Sequence, residues 1–161
     1  KIISPASVDY AFRILLAVGG STNAIIHLTA IAGRLGIPVP LQQLNTLSDE
    51  TPVLIDLKPT GDHYMEDLFK AGGLGAVLRE LKPLLNLECL SVTGETLNER
   101  LQNEPAYVNR EVVRSFDQPI QKMGGLVSLF GSLAPGGAIL KRSAADPTLF
   151  ESEGKAVVFE S

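Results

Sequence analysis

A chain of 161 residues with 45% apolar and 20% charged residues has a globular composition and enough length to bury a core in one domain or in parts of two. A net charge of −4 without any lysine or arginine cluster gives no basis for nucleic-acid binding, and the apolar run at residues 14–18 is too short to cross a bilayer. The single cysteine, Cys89, excludes an internal disulfide framework and fits a reducing, cytoplasmic setting.

The opening Lys1-Ile2-Ile3-Ser4-Pro5 carries neither a starting methionine nor a signal-peptide cleavage pattern, and reads as part of a longer chain. Ser7 is expected to cap a helix over 8–18 whose apolar residues lie nearly all round, so that it should be buried. Gly19-Gly20 breaks it. A second, equally apolar helix runs from Thr22 or Asn23 to Leu35, is expected to be buried, and stops at Gly36, with Pro38 and Pro40 preventing continuation. A short helix over 41–47, a turn at Ser48-Asp49 and a strand over 53–57 follow. Asp62 is expected to cap a helix to Lys70, which Gly72-Gly73 interrupts and 74–81 resumes; 87–92 reads as a strand, and Thr93 as the cap of a helix ending near Leu101.

Beyond Pro105 the pattern changes to β-branched pairs and glycines. Residues 112–113, 126–130, 138–140 and 156–159 read as short strands, with Gly136-Gly137 and Gly124-Gly125 as hairpin and bulge glycines. A boundary near 115–123 divides residues 1–118, α/β or mainly α, from residues 119–161, the start of a β domain with few contacts to the first helix pair.

The most informative segment is Gly19-Gly20-Ser21-Thr22-Asn23. Glycines let the backbone approach a ligand, while Ser21, Thr22 and Asn23 are all good caps. The free N–H groups and positive dipole end of such a helix start suit a carboxylate or phosphate, and His27 lies one turn beyond Asn23 on the same face. The residue types leave two readings open: a capped core helix with a satisfied histidine, or a substrate seat formed by Ser21, Thr22, Asn23 and His27. Asp62, His63, Glu66 and Asp67 have spacings that allow part of a metal shell, yet acidic residues in a first helical turn are also what the dipole favours. Cys89 reads as a small buried hydrophobe, because one thiol cannot hold an iron–sulfur cluster. Lys58, Lys82 and Lys141 are scattered and suggest no common site.

Gly19-Gly20-Ser21-Thr22-Asn23-Ala24 with His27 resembles a signature stretch of the dihydroxy-acid dehydratase and phosphogluconate dehydratase family. Three further blocks resemble that family in the same order: Leu57-Lys58-Pro59-Thr60-Gly61 with Met65-Glu66-Asp67 and Ala71-Gly72-Gly73-Leu74; Leu90-Ser91-Val92-Thr93-Gly94-Glu95-Thr96-Leu97; and Gly124-Gly125-Leu126 with Gly131-Ser132-Leu133-Ala134-Pro135-Gly136-Gly137-Ala138-Ile139-Leu140-Lys141. Gly75 stands where the family usually has proline and Ser132 where it usually has asparagine. The wording of 64–69 and 71–74 leans toward sugar-acid dehydratases over the enzyme of branched-chain amino-acid biosynthesis.

The resemblance implies a hydro-lyase that dehydrates a 2,3-dihydroxy carboxylate to a 2-keto acid, using an iron–sulfur cluster (2Fe-2S or 4Fe-4S) and magnesium in a homo-oligomer. It implies that residues 1–118 end a three-layer, cluster-binding α/β domain and that residues 119–161 begin a C-terminal β-barrel. The family's cluster cysteines and catalytic serine fall outside the matched blocks, so the expectation is a middle segment that is inactive alone, with no catalytic residue and no metal ligand of its own. The alternatives are a stand-alone anion-binding module and a structural or oligomerisation segment.

Overall fold

In the computed structural model, which describes residues 1–155 and 157–159, Pro5 opens α1 (Pro5–Ala17) with its φ already helical. Ser4, not Ser7, is the cap. Ser7 N–H donates to Ser4 Oγ at 3.2 Å and Ser4 N–H to Ser7 Oγ at 2.8 Å, a reciprocal box in which Ser7 is the inner partner. The apolar residues all round α1 serve two cores. Val8, Phe12, Leu15 and Leu16 pack with α2 (Thr22–Arg34) and α3 (Leu41–Glu50), whereas Ala17 joins the core of α4 (Met65–Lys70), α5 (Gly73–Glu80) and α6 (Leu97–Asn103). Its one buried charge, Arg13, is matched by Asp9 at 3.0 Å, Glu50 at 2.7 Å and Thr51 Oγ1 at 3.2 Å.

An extended thread at residues 53–57 runs into the second core, which takes in Leu54, Ile55 and Leu57. It bonds through single bridges rather than a full ladder: Val53 with Gln121, Ile55 with Val113, Leu57 with His63. Leu54 N–H also donates to Ala17 O at the end of α1. The two described strands, β1 (Val127–Leu129) and β2 (Ala138–Leu140), form an antiparallel hairpin with Ser128 opposite Ile139. Ser128 docks the hairpin on α3, taking Asn45 Oδ1 at 2.7 Å with its N–H and Leu41 O at 2.8 Å with its hydroxyl.

Several expectations are corrected. Thr22–Arg34 is helical and ends at Gly36 in the left-handed region (φ 70°), but it is half bare: only Ile25 and Ala32 are buried, while Ile26, Ile31 and Leu35 are exposed. α3 continues through Ser48 and Asp49, because Ser48 is buried and takes up long-range hydrogen bonds instead of turning the chain. Asp62 does not cap α4: Asp67 reaches back to Tyr64 N–H at 2.8 Å from inside it. Thr96, not Thr93, caps α6, in a box with Glu99. Residues 87–92 do not form a strand; only Leu90 makes a bridge, across a turn to Thr96. The strand expected over 156–159 begins at Ala156, outside the described residues, while Val157, Val158 and Phe159 are exposed and irregular. The segment past Gly124 also packs closely on the first helices, since Leu126 is fully buried in the core with Phe12 and Leu16.

Gly124 and Gly125 are close-approach glycines rather than bulge glycines. A Cβ on Gly125 would stand 2.8 Å from the backbone Cα of Gly19, a contact that no side-chain rotation relieves. Gly33, in contrast, meets nothing within 4 Å. Gly125→Ala should therefore lower unfolding free energy by about 1–3 kcal/mol. Gly33→Ala, inside α2, should raise it by about 0.5–1 kcal/mol, both read from urea unfolding followed by circular dichroism.

Candidate functional site

The start of α2 is built as its residues require. Gly19 takes φ 68°, turning the chain sharply after α1, and Ser21 Oγ accepts the N–H of Asn23 at 3.2 Å. The N–H groups of Ser21 and Thr22 have no acceptor among the described residues. They stand at the positive end of a 13-residue helix.

Beside this turn lies a cavity of about 260 Å³. Gly19, Gly20 and Ser21 form one wall, the loop Lys58-Pro59-Thr60 a second, and Met65 and Leu68 of α4 an apolar floor; Lys141 closes it from beyond β2. Among the described residues, no acidic side chain lines it. Of the residues expected from sequence, only Ser21 lines the cavity; Thr22, Asn23 and His27 are exposed on α2 and are not among its lining residues. Lys58 and Lys141, which sequence reasoning set aside as scattered, are the two charges brought together here.

Each lysine is placed by its surroundings. The loop carrying Lys58 is pinned by Asp56, whose Oδ1 accepts the N–H of Asp62 at 3.0 Å and whose Oδ2 accepts from His63 Nδ1 at 3.1 Å. Lys58 N–H donates to His63 O at 2.8 Å, and Lys58 Nζ lies 5.2 Å from the centroid of the Tyr64 ring. After Lys141, Ser143 N–H donates to Gly125 O at 3.1 Å and its hydroxyl reaches Gly19 O at 3.4 Å.

Asp62, His63, Glu66 and Asp67 do not converge. His63 serves Asp56, Asp67 caps α4 and Glu66 pairs with Lys70 at 2.6 Å. Among the described residues no group of three or more His, Cys, Asp or Glu side chains is arranged to hold a metal ion. Cys89 is half-buried, not the buried hydrophobe expected, because residues 87–92 form no strand that would cover it; its partial burial still pushes the thiol up, against the lowering effect of Ser4, which disfavours the thiolate that ligation needs. No helix among the described residues is long and apolar enough to cross a membrane.

Comparison with known proteins gives two family matches. Residues 1–100 match the dihydroxy-acid/6-phosphogluconate dehydratase N-terminal model, and residues 111–161 match the C-terminal model of the same family. The chain is 46% identical over 164 residues to an L-arabonate dehydratase of Azospirillum brasilense, covering 100% of this chain and 28% of that protein. It is 43% identical to a dihydroxy-acid dehydratase of Caldanaerobacter subterraneus, covering 100% of this chain and 29% of the relative. A dihydroxy-acid dehydratase of Caldicellulosiruptor bescii is 44% identical, with 99% and 29% covered. The chain thus spans less than a third of the length of these relatives.

Because Ser21 supplies the cap while the Asn23 side chain makes no hydrogen bond among the described residues, their replacements should separate cleanly. Ser21→Ala should cost about 0.5–2 kcal/mol of stability. Asn23→Ala should stay within about 0.5 kcal/mol of the parent chain in the same urea titration.

Proposed function

Since this chain belongs to the dihydroxy-acid/6-phosphogluconate dehydratase family, we propose that it is the middle segment of a hydro-lyase converting a 2,3-dihydroxy carboxylate into a 2-keto acid. The observation that carries the reading is the convergence of Ser21, Lys58 and Lys141, from three distant stretches of the chain, on one cavity that no acid among the described residues lines. The substrate is a sugar acid or a branched-chain dihydroxy acid; relatives of both kinds are nearly equally similar. The organisation that goes with it is the end of a three-layer α/β domain over residues 1–118 and the beginning of a β-barrel over 119–161, in a cytoplasmic homo-oligomer.

The carboxylate seats against the free Ser21 N–H and the α2 dipole, with Lys58 and Lys141 supplying full positive charge. Thr22 and Asn23, exposed in the first turn of α2, face the substrate hydroxyls in this reading, and His27 supports them from one turn along. Removing the proton next to a carboxylate moves negative charge onto its oxygens. Cations and N–H dipoles fixed at those oxygens hold that charge better in the transition state than in the ground state.

Departure of hydroxide requires a Lewis acid, and the family's iron–sulfur cluster and magnesium are its source in this reading. The described residues do not fit either group: they contain one thiol, raised by burial, and no metal-holding cluster. Their ligands, and the base, therefore belong to the parts of the enzyme beyond this segment.

Lys141→Met or Lys58→Met in the complete enzyme should lower kcat/KM for the dihydroxy acid by about tenfold or more, measured as 2-keto-acid formation. Unchanged kinetics in both variants would remove the carboxylate assignment. The 161-residue chain, treated with iron and sulfide under anaerobic conditions, should develop no stable cluster absorbance and no turnover. Turnover by this chain alone would defeat the segment reading.

A further inference from the structure

The carboxylate reading leaves open why Lys141, separated in sequence by more than a hundred residues from Ser21, should stand in the same cavity. The residue after it supplies a reason. Arg142 is not among the residues that line that cavity; its guanidinium bonds instead to the backbone that crosses between the helices. Nε donates to Gly124 O at 3.1 Å, and NH2 donates to Gly124 O at 3.0 Å and to Ser48 Oγ at 3.0 Å. NH1 lies 3.8 Å from Asp49 Oδ1 and 3.7 Å from Met123 Sδ.

The groups Arg142 grips are themselves held by further hydrogen bonds. Ser48 is fully buried, its hydroxyl also donates to Leu126 O at 2.6 Å, and its carbonyl accepts the N–H of Gly124 at 2.7 Å. A flexible lysine at 141 carries high rotamer entropy, so its mean position depends on how firmly its own backbone is held. A planar guanidinium with paired donors on one carbonyl fixes that backbone in both distance and direction, which a single ammonium cannot.

We propose that Arg142 is a positioning residue: by clamping Gly124 O and Ser48 Oγ it sets the backbone of 141–143 so that Lys141 stands in the cavity beside Lys58 and Ser21. The inference rests on the proposed carboxylate seat, and its effect on binding passes entirely through Lys141.

That last condition makes a double-mutant cycle decisive. The test uses the 161-residue chain with D-gluconate as probe, binding followed by the Ser21 and Thr22 amide signals in NMR titration, alongside Lys141 side-chain signals and Tm. Lys141→Met and Arg142→Met should each weaken gluconate binding by about tenfold, and Arg142→Lys should recover part of the loss. In a Lys141→Met background, Arg142→Met should produce no further weakening. A full additional loss in that background, or unchanged affinity with a lowered Tm, would show that Arg142 is only a packing residue. Should the unmodified chain show no saturable binding, the carboxylate seat itself is wrong, and the Lys141 signals decide the positioning claim alone. A shift of those signals toward random-coil values in Arg142→Met, with core methyl signals of Val77 and Leu81 in place, supports it; unchanged Lys141 signals overturn it. If Arg142→Met does not fold, Arg142→Lys is read by the same criteria.

Discussion

The passage of residues 124–126 between α1 and α3 is the constraint on which the arrangement depends. The chain there leaves little room for side chains: a Cβ on Gly124 would come 2.8 Å from Ser48 Oγ and 3.1 Å from the Leu16 side chain, and one on Gly125 2.8 Å from the Gly19 backbone. Buried peptide groups in so tight a crossing need partners, and Ser48 supplies one hydroxyl and one carbonyl there while the Arg142 guanidinium caps Gly124 O. Leu126 then drops into the core of the first three helices. The segment that bears Lys141 is tied to this crossing through Arg142 and Ser143, while Ser128 holds the hairpin to α3 beside it.

The helices were legible where local chemistry sufficed and misplaced where it did not. α2 and α5 show their limits through glycines whose positive φ no other residue adopts easily, at Gly36 after α2 and at Gly72 and Gly73 at the start of α5. Caps were less secure, because serine, threonine and aspartate occur in neighbouring pairs. Ser4 and Ser7 both bond across the same turn, and only the box geometry separates outer from inner partner. Ser48-Asp49 looked like a turn because the local signal is polar. Its long-range carbonyl partners, Gly124 and Leu126, lie more than seventy residues away and leave no trace nearby in sequence. The burial of α2 failed for a related reason: apolar periodicity states what a helix can bury, not what is present to cover it.

The site divides the same way. A glycine pair followed by Ser21, Thr22 and Asn23 announces a capped helix start with free N–H groups, and that much follows from local backbone physics. Lys58 and Lys141 carry no such mark. Lys58 reaches the cavity because Asp56 folds its loop back through Asp62 and His63; Lys141 reaches it because Ser143 and Arg142 attach to Gly19, Gly125 and Gly124. Both placements are products of tertiary hydrogen bonds. A basic residue next to a proline or a strand end is, in sequence, indistinguishable from a solvated one.

Charge makes the convergence significant. The chain as a whole carries −4, which opposes an anion at long range, yet separations beyond about 8 Å are largely screened at physiological ionic strength. Among the described residues lining the cavity, the formal charges are the two lysines, and at an effective dielectric near 20 a cation about 5 Å from a carboxylate contributes about 3 kcal/mol of attraction before desolvation. The local field therefore decides what binds. Its two sources sit on opposite sides of the Gly124 crossing: Lys58 on the loop that follows the 53–57 thread, Lys141 on the segment that returns from the hairpin. An anion held by both must bind the docked arrangement better than the undocked one. Its binding energy then adds to the junction's stability as RT ln(1 + [L]/Kd). In the proposed enzyme, substrate binding and the docking of the second region on the first are thus linked, with Arg142 at the point of coupling.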